Sequence, residues 1–494
     1  MRDLSKLFSI NLIGKIITLV LFSLLAHSLN TIHLAYIALI PALSPTFLSL
    51  LGCGVNTLLE RDVPRVLSQN QNDGHKMMRA GYLLNLLSIS LAFIFGISLI
   101  NYWVPAILNG YSYEKTTISW ICLPIGTYML LQTTGLFLLL EGKAPMFGFI
   151  RITGDISAKA LTLILYMVEP SEMAVFIGLS VGQLPLIAYG IWQQRKWLFS
   201  TKLSPIIQLL RNSWPFYLEA NFNVLRNQGD NLLVSSLLGP ISMAGYYVAK
   251  TVANQLSVFF NPVSSLMVHR FSYQQGHGMD SLEQIFKQAW CLSVPLFVWL
   301  SCALGALSPL LIEFIAGSDY MEIWPTALLL CLVSCCLALY SLSSRILLLI
   351  GSSFERFKVT AIQTMLILLF SLLLVPLLDT AGIALAWLIA SFVTLYIIRH
   401  RSLRLGFSWP KSNSIIKPLL STLSMPAISL YLYYQGTNNA VVLFVFLLTA
   451  TASFAIILFS QNEYEEAQML HILPEQLTPF YRQFRNLKTK IYFK

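Results

Sequence analysis

The chain has 494 residues, of which 56% are hydrophobic and only 11% are charged, and its formal net charge is +10. Soluble domains typically carry about 25% charged residues. This composition, with a mean hydropathy of +0.68, excludes a water-soluble protein with an ordinary polar surface and indicates an integral membrane protein.

Apolar runs long enough to cross a bilayer recur along the whole chain. The first carries Lys15 and lacks a cleavage site of the A-x-A type, so we interpret it as a span rather than a signal peptide. We predict an all-α, polytopic membrane protein with about fourteen transmembrane helices. They are expected near residues 8–28, 33–54, 80–100, 117–140, 153–169, 172–194, 213–237, 241–266, 288–315, 325–350, 358–377, 380–398, 416–434 and 439–460.

The basic residues indicate the orientation of these spans. With the amino terminus inside, most of the 32 Lys and Arg residues fall in predicted cytoplasmic loops, whereas Lys115 falls outside. Because cytoplasmic loops are enriched in Lys and Arg, we predict that both termini are cytoplasmic. The positive charge then faces anionic membrane lipids, and it predicts no nucleic-acid partner.

Two short motifs recur at similar offsets, YIA at 36–38 as YVA at 247–249 and LLLEG at 138–142 as LLLIG at 347–351. The offset of roughly 210 residues predicts a duplication. We expect two pseudo-symmetric six-helix bundles, two additional helices and a cytoplasmic tail, at residues 1–200, 203–402, 415–460 and 461–494, respectively. Residues 203–215 are expected to form an amphipathic helix between the bundles, with an ordinary linker as the alternative.

Ionisable residues inside predicted spans are candidates for function, because each costs about 2.5–3.5 kcal/mol at the bilayer centre. The basic set predicts an anionic substrate, since lysines supply point charges and arginine holds phosphate bidentately. The candidate substrate-binding residues are Lys15, Lys159, Arg226, Lys250, Arg345 and Tyr246, the last one turn before Lys250. The candidate ion-coupling residues are Glu219 and Asp230.

Each candidate has a structural alternative. Arg226 and Asp230 are four residues apart and can pair on one helix. We expect Asp155 to be the ion-pair partner of Lys159 for the same reason. Lysines near span ends can extend to the interface, which competes with a role in a cavity. No catalytic residues, cofactor or metal site are predicted.

Three stretches resemble a known family. RNQGDNLL at 226–233, with LGP at 238–240, GYYVA at 245–249 and Pro262, resembles the second half of polysaccharide transporters of the multidrug/oligosaccharidyl-lipid/polysaccharide (MOP) flippase superfamily. LSLLGCGV at 48–55 and LLVPLLDTAGIALAWLIASFV at 373–393 are similar to other motifs of that family.

The resemblance implies a function. It implies an alternating-access flippase in the bacterial cytoplasmic (inner) membrane, one that moves an undecaprenyl-diphosphate-linked oligosaccharide such as an O-antigen unit and is not an enzyme. Proton or sodium is the implied coupling ion, and a glycan polymerase complex is a candidate partner.

Other functions remain open. A cation-coupled multidrug exporter of the same superfamily would share the fold, although the basic set favours an anionic substrate. A membrane glycan polymerase or ligase usually needs a large extracytoplasmic loop, whereas the longest outside segment here is near 101–116. A scaffold of a glycan-assembly complex would not need charges in the membrane.

Overall fold

The structure, a computed structural model, describes residues 2–98, 107, 119–200, 206–260, 279–350, 353–410, 422 and 445–453. Within them, the side chains of residues 2–12, 68, 144, 200, 292, 345, 348–350 and 353 are outside the described part. The described secondary structure consists of α-helices and short 3₁₀ turns, without a strand. The predicted all-α class is therefore confirmed.

The first eight helices precede residue 201. They are α1 (Arg2–Ser28), α2 (Thr31–Leu51), α3 (Val55–Gln69), α4 (Gln71–Ser98), α5 (Cys122–Leu140), α6 (Ala144–Val168), α7 (Glu172–Val181) and α8 (Leu184–Ser200). Local capping fixes two of their starts, because the side chains of Asn30 and Ser171 accept hydrogen bonds from the backbone N–H groups of His33 and Ala174, respectively.

Five further helices follow residue 205. They are α9 (Ile206–Ser213), α10 (Tyr217–Asn254), α11 (Met279–Ala316), α12 (Trp324–Ile350) and α13 (Ser353–Arg404). The helix expected between the predicted bundles is confirmed as α9, whose Leu209 is buried while Ile207 is 83% exposed. Leu209 packs in one hydrophobic cluster with side chains of α3 and α4, including Leu58 and Met78.

Helix α10 is a hairpin of two helical legs. Gly239 has φ 82° and ψ −169°, and Pro240 follows it. Only glycine adopts this backbone conformation readily. Asp230 and Lys250 would stand about 30 Å apart along a straight helix, but their side chains are 2.6 Å apart. The chain therefore turns back at Gly239, as the two predicted spans at 213–237 and 241–266 require.

Helix α13 turns back in the same way. Asp379, at φ 48°, interrupts it, and a Cβ on Gly382 would lie 2.5 Å from the carbonyl oxygen of Leu374. Near the two ends of α13, Arg401 forms an ion pair with Glu355. This pairing requires the ends of a 52-residue helix to meet.

Eight described helical stretches are long and apolar enough to cross a membrane. Ile206–Phe260 and Phe354–Arg404, with 55 and 51 residues, are much longer than one crossing and contain the two turns. The number fourteen stays a prediction. The predicted spans at 416–434 and 439–460 lie outside the described residues except for 422 and 445–453, and so do Pro262, Lys115 and the predicted tail.

The chain divides into two compact units. The first comprises Met1–Thr251, Ile312–Ile323 and Thr360–Ile383, and the second comprises Val252–Leu311, Trp324–Val359 and Ala384–Lys494. In the first unit α6 packs against α1, α5 and α7. A Cβ on Gly178 of α7 would lie 2.4 Å from the Cα of Thr162, so the small residue permits this close packing. The predicted bundles at 1–200 and 203–402 stay a prediction.

A glycine also fixes the start of α3, within the motif at 48–55. Gly54 has φ 74°. A Cβ there would lie 2.7 Å from the backbone nitrogen of Tyr217 and 2.8 Å from the carbonyl oxygen of Ser213. The glycine is therefore required both by its dihedral angle and by the close approach of the chain that leads into α10.

Candidate functional site

The α10 hairpin places a buried carboxylate against a lysine of its second leg. Asp230 Oδ2 accepts hydrogen bonds from Lys250 Nζ at 2.6 Å and from the Tyr246 hydroxyl at 2.7 Å. Lys250 also donates to Asn231 Oδ1 at 3.2 Å, and its Nζ lies 5.9 Å from the Tyr246 ring centroid. We call these four residues the Lys250 cluster.

The charges of the Lys250 cluster are buried to different degrees. The Asp230 side chain is 0% exposed, whereas the Lys250 side chain is 19% exposed. The second oxygen of Asp230, Oδ1, is buried and has no hydrogen-bond partner in the described part of the chain. Buried acceptors are normally bonded, so Oδ1 is a place where a proton or a small cation can be held.

A second group of charges lies on α6, in the same unit. Lys159 Nζ donates to Asp155 Oδ2 at 2.8 Å, one helical turn away, which confirms the expected ion pair. Asp155 also accepts a hydrogen bond from the Tyr128 hydroxyl at 3.4 Å. Lys15 of α1 lies close enough to both charges to interact electrostatically. We call Lys15, Tyr128, Asp155 and Lys159, together with Tyr247 of α10, the Lys159 cluster.

Tyr246 and Tyr247 join the two clusters. Successive helical residues point about 100° apart, so neighbouring side chains reach different partners. Tyr246 contacts Asp230, while the Tyr247 hydroxyl is hydrogen-bonded to Lys159. The ring of Tyr247 packs edge-on against Phe22 of α1, with centroids 5.2 Å apart. The second leg of α10 therefore holds both clusters in one compact unit.

The structure unites four of the predicted substrate-binding residues. Lys15 and Lys159 fall in one cluster, and Tyr246 and Lys250 fall in the other with the predicted ion-coupling residue Asp230. Arg226 and Glu219 lie on the first leg of α10, both half-buried. Arg345 lies in α12, and its side chain is outside the described residues.

Some contacts were not predicted. Asp230 was expected to pair with Arg226 as a structural alternative. In the structure, Oδ2 of Asp230 instead accepts hydrogen bonds from Lys250 and Tyr246. Asn231 belongs to the motif at 226–233, which is a usable signal for its place beside Lys250. Tyr128 carries no such signal, because its partner Asp155 lies on another helix. Among the described residues, no group of three His, Cys, Asp or Glu side chains can hold a metal ion.

Known structures share the fold. The lipid II flippase MurJ in its inward closed conformation superposes with a TM-score of 0.70 at 17% identity, covering 91% of this chain and 97% of MurJ. An inward-facing multidrug resistance MATE transporter of the MOP superfamily gives 0.64 at 15% identity, covering 80% and 96%. A MOP superfamily transporter from Pyrococcus furiosus gives 0.56 at 14% identity, covering 82% and 95%.

Sequence comparison supplies the family. No curated protein matches the chain. A family model described as polysaccharide biosynthesis protein matches residues 55–325, which is more than half of the chain. The predicted resemblance to polysaccharide transporters with a MOP-type fold is thereby confirmed, and the chain is a multi-pass membrane protein. It belongs to the polysaccharide biosynthesis protein family.

Proposed function

We propose that this protein flips an undecaprenyl-diphosphate-linked oligosaccharide, an O-antigen or other surface-polysaccharide repeat unit, across the bacterial inner membrane by alternating access. The observation that carries this proposal is the pair of lysine clusters joined by Tyr246 and Tyr247. The family match supports a role in polysaccharide biosynthesis, and the fold is shared with a lipid II flippase.

The charge balance of the two clusters favours an anionic headgroup. They contain three lysines, Lys15, Lys159 and Lys250, against the two aspartates Asp155 and Asp230. One positive charge therefore remains after pairing, in a part of the chain where an uncompensated charge is costly. A sugar diphosphate would compensate it, and Lys250 and Lys15 are the partly exposed cations that would meet the phosphate.

The other predicted residues keep the roles expected from the sequence, except Tyr246, which was predicted to bind substrate and instead contacts Asp230. Arg226 would hold phosphate oxygens bidentately, and Arg345 would supply a further positive charge. Tyr246 would position Asp230 for Lys250. Asp230 is our first candidate for holding the coupling proton or sodium ion, because its Oδ1 has no partner among the described residues. Glu219 is the second candidate.

Complementation of a flippase-deleted bacterial strain tests this proposal. Lys15→Met removes a positive charge without removing the partner of a buried carboxylate, and Arg226→Ala removes the proposed bidentate ligand. Both should abolish surface polysaccharide at normal protein level, and Arg226→Lys should restore part of it. Lys76→Met, which removes an exposed lysine paired with Asp73, is the control and should leave export unchanged.

Two results would contradict the proposal. Full surface polysaccharide from both Lys15→Met and Arg226→Ala would show that these residues do not form a site for an anionic headgroup. Resistance to cationic drugs on overexpression, without complementation, would instead favour a cation-coupled multidrug exporter. The predicted topology is tested separately: tags at both termini should report the cytoplasm. Co-purification with a glycan polymerase would support a complex between the two proteins.

A further inference from the structure

The second unit contains an apolar cavity that the proposed transport site does not use. Its volume is about 250 Å³. Side chains of α11, α12 and α13 line it, among them Trp290, Leu332, Cys336, Leu339 and Phe392. Leu332 and Leu339 stand about two turns apart on α12, so the lining follows the helix axis, as the elongated hydrocarbon chain of a lipid would.

The lining includes polar groups toward the carboxyl end of α13. Arg399, Tyr396 and Trp409 contribute to the lining there. The indole nitrogen of Trp409 is buried and has no hydrogen-bond partner in the part of the chain that the structure describes. Tyr396 is 69% exposed and stacks on the His400 ring, with centroids 6.3 Å apart. An indole N–H and a guanidinium are both donors, so this end favours an acceptor group with negative charge.

The surroundings of this end are also basic. Arg401 and Lys358 both form ion pairs with Glu355, which leaves that carboxylate already matched by two cations. Arg404 ends α13 and is exposed. The positive-inside pattern predicts that these residues lie at the cytoplasmic membrane surface, where anionic lipid headgroups collect.

We propose that this cavity binds an anionic phospholipid of the cytoplasmic leaflet. One acyl chain occupies the apolar cavity, while the phosphate accepts hydrogen bonds from Arg399 and the Trp409 indole. Tyr396 lies at the headgroup level, where amphipathic rings are favoured. A zwitterionic lipid fills the cavity equally well but gains less from Arg399. This site is separate from the transport proposal and does not depend on it.

Fluorescence quenching in nanodiscs tests the site. Trp290 lines the cavity, and the difference between the native protein and Trp290→Phe isolates its emission. Phosphatidylglycerol brominated on its acyl chain should quench this emission at a mole fraction several-fold lower than brominated phosphatidylcholine. Arg399→Gln should remove that preference and Arg399→Lys should keep it. Arg404→Gln, a matched change on the same helix outside the cavity lining, should leave it intact.

A filling variant checks the position of the acyl chain. Cys336→Phe should weaken quenching by both brominated lipids while thermal unfolding in detergent stays cooperative. Equal quenching by the two lipids, or an unchanged preference in Arg399→Gln, would overturn the proposal. So would displacement of brominated phosphatidylglycerol by an equimolar amount of polyprenyl diphosphate, because the cavity would then belong to the transported lipid.

Discussion

The Lys159 and Lys250 clusters use the same chemical groups but bury opposite members of the ion pair. In the first, the Lys159 side chain is 9% exposed and Asp155 is 33% exposed. In the second, Asp230 is 0% exposed and Lys250 is 19% exposed. Within the two ion pairs, the more exposed charge is therefore the carboxylate of Asp155 in one cluster and the ammonium of Lys250 in the other. We infer that an anionic headgroup engages Lys250 first and that Lys159 acts mainly through its neighbours.

This difference predicts the largest effect at Lys250. Lys250→Met leaves Asp230 fully buried without its cation, and removal of one partner of a buried pair typically costs about 3–5 kcal/mol. Thermal unfolding of the purified protein in detergent should show a large loss of stability. Adding Asp230→Asn should restore most of it, because the uncompensated charge is gone. Equal stability of the single and double variants would contradict the burial asymmetry.

Lys159→Met is the matched change in the other cluster, and its effect should be smaller. Asp155 is only partly buried and keeps the hydrogen bond from Tyr128, so losing the charged hydrogen bond should cost about 1.5–3 kcal/mol. The measurement is the same unfolding experiment at constant detergent and salt. A loss of stability greater than that of Lys250→Met would reverse the comparison.

The turn of α10 at Gly239 brings Asp230 and Lys250 together, so a substitution there should lower the stability of the protein. Gly239→Ala forces a backbone conformation that favours glycine, which costs about 1–3 kcal/mol. Gly229→Ala lies on the same element, where a Cβ meets nothing within 4 Å. As an ordinary helical position, it should be neutral or gain up to about 1 kcal/mol. Equal stability of the two variants would contradict the glycine-specific turn at residue 239.

The smallest effect is expected at the tyrosine that reaches the Lys159 cluster. Tyr247→Phe removes one hydrogen bond to a lysine that keeps Asp155, so we expect a cost of about 0.5–1.5 kcal/mol. Tyr246→Phe removes a donor from the fully buried Asp230 and should cost more. A double-mutant cycle between Tyr247→Phe and Lys159→Met should show coupling, and strict additivity would argue against the contact.

The sequence predicted the fold class and the local ion pair, for a shared reason. Hydrophobic runs and the Asp155–Lys159 spacing are both properties of neighbouring residues. The partner of Asp230 was a different problem, because Arg226 lies four residues away on the same leg, whereas Lys250 is reached only after the turn at Gly239. The number of spans is also difficult to predict from sequence, because α10 and α13 each contain two helical legs joined directly at a turn.

The joining role of Tyr246 and Tyr247 was also beyond the sequence. Their positions on one helix gave their directions, but not the packing of α10 against α1 and α6 in the first unit. Tyr247 meets Lys159 and Phe22 only through that packing. Long-range contacts of this kind depend on tertiary structure, which periodicity does not specify.

Equilibrium binding of a radiolabelled undecaprenyl-diphosphate oligosaccharide to the purified protein in nanodiscs tests the central claim most directly. The Asp230→Asn/Lys250→Met double variant removes both charges of the buried ion pair and is expected to stay folded. We predict that it loses binding at least tenfold, while Gly229→Ala binds as the native protein does. Native affinity in a correctly folded double variant would contradict the claim that Lys250 recognises the anionic headgroup.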